Sequence, residues 1–246
     1  MRIGISVGQS GRLARPPAVA AAVRAAEQLG YSSVWVCDSR LDPAGALAAA
    51  ASAASTVRVG TNVVVRPGQD PGALARALAE IDVLTDAPLA VALGVPTGDP
   101  ERRLERVLDA IDSCWPPGDR PLTLLDGALH LVVRRADGWS PTDLSIDDLG
   151  AMWTALRAVT AGHGRNPDHL QLVVRAGVVL TSRPAGAGRA SYHGDADQVA
   201  DDVGTTYRLG ADEVVLRLEG DLSLDEALDG YARVAESAEL REAQKA

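Results

Sequence analysis

The stretch "AAEQLGYSSVWVCDSR" (residues 25–40) changes its period in mid-run. As far as Leu29 it is the end of an amphipathic helix, with Val19, Val23, Ala26 and Leu29 on one face and Arg24, Glu27 and Gln28 opposite. Gly30-Tyr31 make a turn, Ser33–Cys37 run apolar, and Asp38-Ser39-Arg40 close the stretch with polar groups. A short apolar run after a helix and a glycine is the mark of a parallel strand covered on both faces. Polar side chains delivered at the C-terminal end of such a strand are where β/α proteins collect their chemistry.

The same unit repeats along the chain. Strands are expected at Arg2–Val7, Ser33–Cys37, Val57–Val65, Leu89–Leu93, Leu122–Leu125, Gly138–Ser140, Leu172–Leu180 and Glu213–Leu218. Helical spacing lies between them: Leu74, Leu78 and Ile81; Leu104, Leu108 and Ile111; Met152, Leu156 and Val159; Val199 and Val203; Leu224, Leu228, Tyr231 and Val234. A weaker helix is expected over Ala128–Arg135. Asp70-Pro71, Asp99-Pro100 and Ser145 are candidate caps or first-turn residues. Eight β-then-α units predict a single TIM-type (β/α)8 barrel with eight parallel strands over residues 1–246. A doubly wound open sheet is the alternative, but no G-x-G-x-x-G follows the first strand. "SRPAGAGRASYHG" (182–194) reads as a mobile loop rather than a domain boundary.

Composition narrows the function classes. A net charge of −9 argues against a general nucleic-acid binder, which needs a basic footprint. No apolar run nears the ~20 residues that span a bilayer, so no membrane partner is expected. "MRIGISVG" goes straight into a strand pattern and lacks the h-region of a signal peptide. Cys37 and Cys114 have no metal-type spacing, which points to a reduced, cytoplasmic setting. His130, His163, His169 and His193 are scattered, so no metal site is expected.

The ordered modules resemble the bacterial luciferase-like superfamily of flavin- or deazaflavin-dependent oxidoreductases. "AAEQLGYSSVWVCDS" is similar to that family's A-E-x-x-G-[FY]-x-[ST]-[VL]-W segment, and "DPAGALAAAASAASTVRVGTNVVV" to its D-P-x-x-x-L-A segment leading into G-T-x-V. "VVRRADGWSP" and "GDADQVADDVGTTYRLGADEVVLRL" resemble later elements, so the likeness covers nearly the whole chain in order. The loops are shorter than is usual in the family, and Ser39 stands where many members carry a histidine.

The resemblance implies a cofactor, reduced FMN or the deazaflavin coenzyme F-420, at the C-terminal face. Asp38-Ser39 would form the pocket floor. Ser39 does not titrate near neutral pH, so acid–base work would fall to Asp38 or to His193 on another loop. The bland alternative is that Asp38 caps a turn and Ser39 is a spacer. Asn62-Val63 would carry a bulge, often with a non-prolyl cis peptide, against the ring's middle; the alternative is a plain strand. Gly127 and Ala128 would offer backbone N–H groups to a phosphate, with hydroxyls from Ser140 and Thr142, although Asp126 beside them would repel it. Arg175 would serve an anionic group and Ser6 the cofactor pocket. Arg183 and Arg189 read as a solvated loop, Trp35 as core, and Trp139 as core or pocket mouth.

The function expected is hydride transfer or monooxygenation on a small organic substrate. Composition tilts the choice of cofactor toward the deazaflavin. The alternative is a shortened, catalytically degenerate barrel acting as a flavin binder or interaction protein. A barrel isomerase or hydrolase finds no H-x-H pair or catalytic lysine, since Lys245 is the only lysine. A homodimer packed through the Ala-rich helix at 44–54 is also expected.

Overall fold

A computed structural model of the chain describes residues 2–7, 15–37, 43–83, 85–94, 100–116 and 118–243. Strands β1 (Arg2–Val7), β2 (Ser33–Cys37), β3 (Arg58–Val64), β4 (Leu89–Gly94), β5 (Leu122–Leu125), β6 (Gly138–Trp139), β7 (Gln171–Leu180) and β9 (Glu213–Leu218) pair in parallel. The β6–β7 and β1–β9 ladders close them into an eight-stranded barrel. Helices α1 (Pro16–Gln28), α2 (Pro43–Ala53), α3 (Pro71–Val83), α4 (Pro100–Cys114), α5 (Leu129–Arg134), α6 (Ile146–Gly162), α7 (Ala196–Arg208) and α8 (Leu224–Ala243) alternate with them. All eight expected strands form. A ninth two-residue strand, β8 (His193–Gly194), which the sequence reading left in a loop, adds to the far end of β7. No described helix is long and apolar enough to cross a membrane.

The opening stretch folds as its pattern dictates. Gly30 takes φ 79°, a left-handed value that ends α1, and the Tyr31 N–H reaches back to the Ala26 carbonyl. Every residue of β2 is then buried, because one face meets the helices and the other fills the barrel. Val34 and Val36 pack outward, while Trp35 joins Ala90, Ala92, Leu124, Val173 and Val215 in a separate inner cluster. Trp35 lies flat over β3 at Gly60, where a Cβ would stand 2.3 Å from the indole ring. The residue there has to be glycine for the indole to fill the barrel centre. Trp139 belongs to the outer core and not to a pocket mouth.

Below Trp35, at the N-terminal end, polar groups complete the filling. Glu213 is buried and accepts hydrogen bonds from Ser33 Oγ and, at 2.9 Å, from Trp35 Nε1, while Arg58 pairs with its second oxygen at 3.3 Å. The indole and this acid-centred cluster seal the barrel from beneath.

The segment 182–194 is pinned, which corrects the expectation of a mobile loop. Arg189 forks onto both Asp202 oxygens at 2.5 and 2.9 Å and donates to the His193 carbonyl at 3.1 Å. The Tyr192 N–H donates to the same Asp202, and Gln198 clamps Ala185 through both its N–H and its carbonyl. Arg189 is therefore committed to Asp202, with a side chain 21% exposed, and not available to an outside anion. Its hydrogen bonds to Asp202 raise its pKa against the opposing effect of burial.

Candidate functional site

Side chains that alternate into the barrel reach its C-terminal mouth one or two residues beyond the Trp35 layer. β1 delivers Ser6, two residues after Gly4; its Oγ lies 2.8 Å from Cys37 Sγ at the end of β2. β3 delivers Asn62, two residues after Gly60. The segment after β6 delivers Ser140, and β7 delivers Arg175, two residues after the inner Val173. β9 delivers Arg217, two residues after the inner Val215. Four of the expected site residues, Ser6, Asn62, Ser140 and Arg175, are thus brought to one end of the barrel.

Val63 is not among them. Its side chain is buried in the outer core against the helices, so only its backbone reaches the β3 surface. No peptide among the described residues is cis, and Asn62, Val63 and Val64 pair in unbroken register with Ala92, Leu93 and Gly94. This corrects the bulge expected at Asn62-Val63. The β4 ladder is complete there and the β2 ladder runs as far as Asn62, and a bulge would cost those hydrogen bonds. Asp38 and Ser39 lie outside the described residues.

Around Arg175 the groups satisfy one another. Its Nη2 is 2.7 Å from Asp126 Oδ2, its Nε donates to Ser140 Oγ at 3.1 Å, and Nη2 also donates to the Ser140 carbonyl. Thr142 Oγ1 lies 3.4 Å from both Asp126 oxygens. Gly127 is exposed, and Ala128 adopts φ 49° at the start of the six-residue α5. The sequence presents Asp126 as a repulsive neighbour of a phosphate. In the fold it is Arg175's counter-ion, so Arg175 Nη2 and Thr142 Oγ1, two of the donors an incoming phosphate would use, already face a carboxylate. This donor set does not fit a phosphate-bearing group.

A second ion cluster lies beside it. Arg217 pairs with Asp143 at 2.9 Å and with Glu219 at 2.6 Å, and Asp143 holds a left-handed φ of 54°. Burial acts to lower the Arg217 pKa, but the two carboxylates outweigh it and the net shift is upward. Arg217 and Glu219 divide two cavities. One, about 330 Å³, includes Ser6, Val7 and Tyr231. The other, about 550 Å³, includes Asp143, Gly177, Tyr192 and His193. Both volumes fall in the range of small-molecule sites. Tyr231 is buried, its hydroxyl donating to the carbonyls of Ser6 and Leu216 and so tying β1 to β9 at the cavity wall. Burial raises the Tyr231 pKa strongly, so it stays a neutral donor.

The sequence reading missed Asp143, Arg217 and Glu219. The available signal was "EVVLRL" (213–218), whose Glu213 and Arg217 are four apart in a buried strand and therefore face the barrel interior together.

A family model for luciferase-like monooxygenases matches residues 1–125. The chain belongs to the luciferase-like monooxygenase family. It is 27% identical over 197 residues to a 4-hydroxyprotoasukamycin monooxygenase of Streptomyces nodosus subsp. asukaensis, a match covering 58% of this chain and 53% of that protein. The match thus spans about half the length of this curated relative. Among solved structures, the coenzyme F-420 dependent tetrahydromethanopterin reductase of Methanopyrus kandleri superposes with a TM-score of 0.76 at 12% identity, covering 98% of this chain and 99% of that one. The oxygenating constituent of 3,6-diketocamphane monooxygenase from the CAM plasmid of Pseudomonas putida, in complex with FMN, gives 0.70 at 11% identity over 97% of each chain. At these identities the likeness to solved structures carries the fold alone. The family barrel is present here from end to end, with its C-terminal mouth built from Ser6, Asn62, Ser140, Arg175 and Arg217.

Proposed function

We propose that the chain is an oxidoreductase that holds a flavin-type ring at the C-terminal mouth and acts on a small organic substrate in the cavity beside it. The observation that carries this reading is the shared wall of Arg217 and Glu219. It joins a cavity containing Ser6 to one containing His193. Such a ring, when bound, supplies hydride transfer or oxygen activation, and the protein supplies position and electrostatics.

The chain's own residues have separate tasks in this reading. Trp35 and the acid cluster beneath it exclude water from below the reacting centre. Ser6 and Asn62 present short polar groups at the mouth. Arg217, held by two carboxylates, is a fixed donor that orients a substrate oxygen. His193 brings an imidazole to the larger cavity, a side chain of the kind that takes or gives a proton in general acid–base catalysis. Its backbone is fixed on both sides: its N–H donates to the Ala190 carbonyl and its own carbonyl accepts from Arg189.

A second reading, a barrel that binds a flavin without turning it over, draws support from the regular β3 ladder at Asn62-Val63 and from the acid-paired Arg175. Titration with FMN and with the deazaflavin, followed by absorbance and fluorescence, tests both readings. Binding to neither would remove both. Binding without reaction of the reduced cofactor with oxygen or an acceptor would leave the second.

A further inference from the structure

We propose that Asp126 is the resident anion of a built anion-binding site, and that removing its charge opens the site to phosphate. Arg175 is an ionised guanidinium with a side chain only 7% exposed, held at the end of β7 by two hydrogen bonds to Ser140. A buried guanidinium needs an anion, and here the chain provides one from the end of β5. The two partners differ in a way that matters: the Asp126 side chain is 35% exposed, so the carboxylate lies between solvent and the buried cation. Thr142 Oγ1 lies on the same carboxylate, and among the described residues no atom beyond Gly127's own chain neighbours comes within 4 Å of the position a Cβ would take there. A buried guanidinium nitrogen, a nearby hydroxyl and an open approach are groups that bind a phosphate monoester. The carboxylate holds the place a phosphate would take on Nη2, while Nε and Nη2 also keep their bonds to Ser140.

The intact chain therefore gains little from the phosphate of a ligand and distinguishes weakly between a phosphorylated flavin and the same flavin without phosphate. The flavin comparison rests on the function proposed above. The phosphate comparison does not.

The test uses the full chain, its variants Asp126→Asn and Asp126→Ser, and the double variant Asp126→Asn/Arg175→Met. Inorganic phosphate is titrated into each by calorimetry and in thermal melts at constant ionic strength and pH about 7.5. At that pH phosphate is largely the dianion, its second pKa being roughly 6–7. The expected result is no saturable binding to the parent chain, saturable binding with a rise in Tm for at least one single variant, and loss of both in the double variant. In parallel, FMN and riboflavin are titrated into the parent and into Asp126→Asn. The FMN-to-riboflavin affinity ratio is expected near one in the parent and at least about tenfold higher in the variant, a change of about 1.4 kcal/mol.

Saturable phosphate binding to the parent chain would overturn the proposal, as would a parent that already prefers FMN tenfold. So would folded single variants that ignore phosphate. If both single variants fail to fold, Asp126 is a counter-ion that the fold cannot release, and the proposal is lost. If neither flavin binds any form while phosphate binds Asp126→Asn, this proposal stands and the function proposed above falls.

Discussion

The barrel carries an arginine–carboxylate pair at each end, and the two are built in opposite senses. At the floor the acid is the deeply buried partner: Glu213 is 1% exposed and gathers Ser33, Trp35 and Arg58 around it. At the mouth the cation is the buried partner, and its acid, Asp126, stands toward solvent. The floor acid is covered by the indole and fully bonded, while its Arg58 partner keeps a side chain 21% exposed. The mouth cluster exchanges with whatever anion reaches it. This inversion separates a pair that fixes the fold from a pair able to answer to a ligand, in keeping with the division of labour between the two faces of such barrels.

The largest effect is expected at the floor. Glu213→Ala takes from Arg58 its ion-pair partner and from Ser33 Oγ and Trp35 Nε1 the acceptor they share, leaving the indole its 3.1 Å bond to Ser33 Oγ. Burial already lowers the Arg58 pKa, and Glu213 is the main group opposing that shift. Removing one partner of such a pair costs about 3–5 kcal/mol, read as a lower urea midpoint at unchanged slope. Phosphate is expected to restore little of it, since the vacancy lies at a position only 1% exposed, beneath the indole.

Asp126→Asn comes next. It uncovers a buried charge but leaves both Ser140 bonds, so the expected loss is about 1–3 kcal/mol. Here phosphate should return part of the loss, through binding to the native state alone. A Glu213→Ala variant rescued by phosphate, or an Asp126→Asn variant that is not, would erase the distinction between the two ends.

How much of this could be read in the chain beforehand depends on distance along it. The barrel was legible because each strand is a local apolar run punctuated by a helix, and all eight appear where the pattern put them. Arg175 was legible as a charge inside such a run. Its partner's role was not: Asp126 meets Arg175 only after β5, β6 and β7 lie side by side, and local reading saw merely an acid beside a glycine. The Glu213–Arg58 pair is 155 residues apart and exists only because the barrel closes. The 182–194 segment misled for the reverse reason. Its Gly, Ala and Arg content suggests freedom, but Asp202, on the following helix, takes three N–H groups from it. The resemblance also overreached at Asn62-Val63, where the unbroken ladder with β4 keeps β3 regular.

That pinned segment gives the third prediction, intermediate in size and local in reach. Asp202→Ala removes the acceptor of both Arg189 and the Tyr192 N–H, and Tyr192 holds a left-handed φ of 61° that only its surroundings sustain. Loss of about 1–2 kcal/mol is expected from these charged hydrogen bonds. Amide exchange should speed up across 182–194 while β1–β5 stay unchanged. His193 lies in this segment, so the larger cavity should loosen and the smaller one, beside Ser6, should not. Uniform acceleration across the barrel would show that the mouth is one cooperative unit with the floor.

The smallest effect extends the floor beyond the barrel interior. Glu27, in the last turn of α1, accepts at one carboxylate oxygen from the N–H groups of Ser55, Thr56 and Val57, at 2.6, 2.7 and 3.3 Å. The hydrogen bond from the Thr56 N–H leads the causes that hold its pKa below the usual glutamate range, against the opposing effect of burial. A carboxylate with a depressed folded pKa stabilises fully above its unfolded pKa of about 4.3, and that contribution is lost as pH falls through the lower folded value. Glu27→Gln should therefore cost on the order of 1 kcal/mol or less at neutral pH, the site being open to solvent. The gap between parent and variant should close below about pH 4, as the parent's own Glu27 is protonated. A gap that persists at low pH would assign the effect to the shape of the turn and not to its charge. Neither result should change with added phosphate, because this carboxylate faces backbone N–H groups and, unlike Asp126, covers no buried cation.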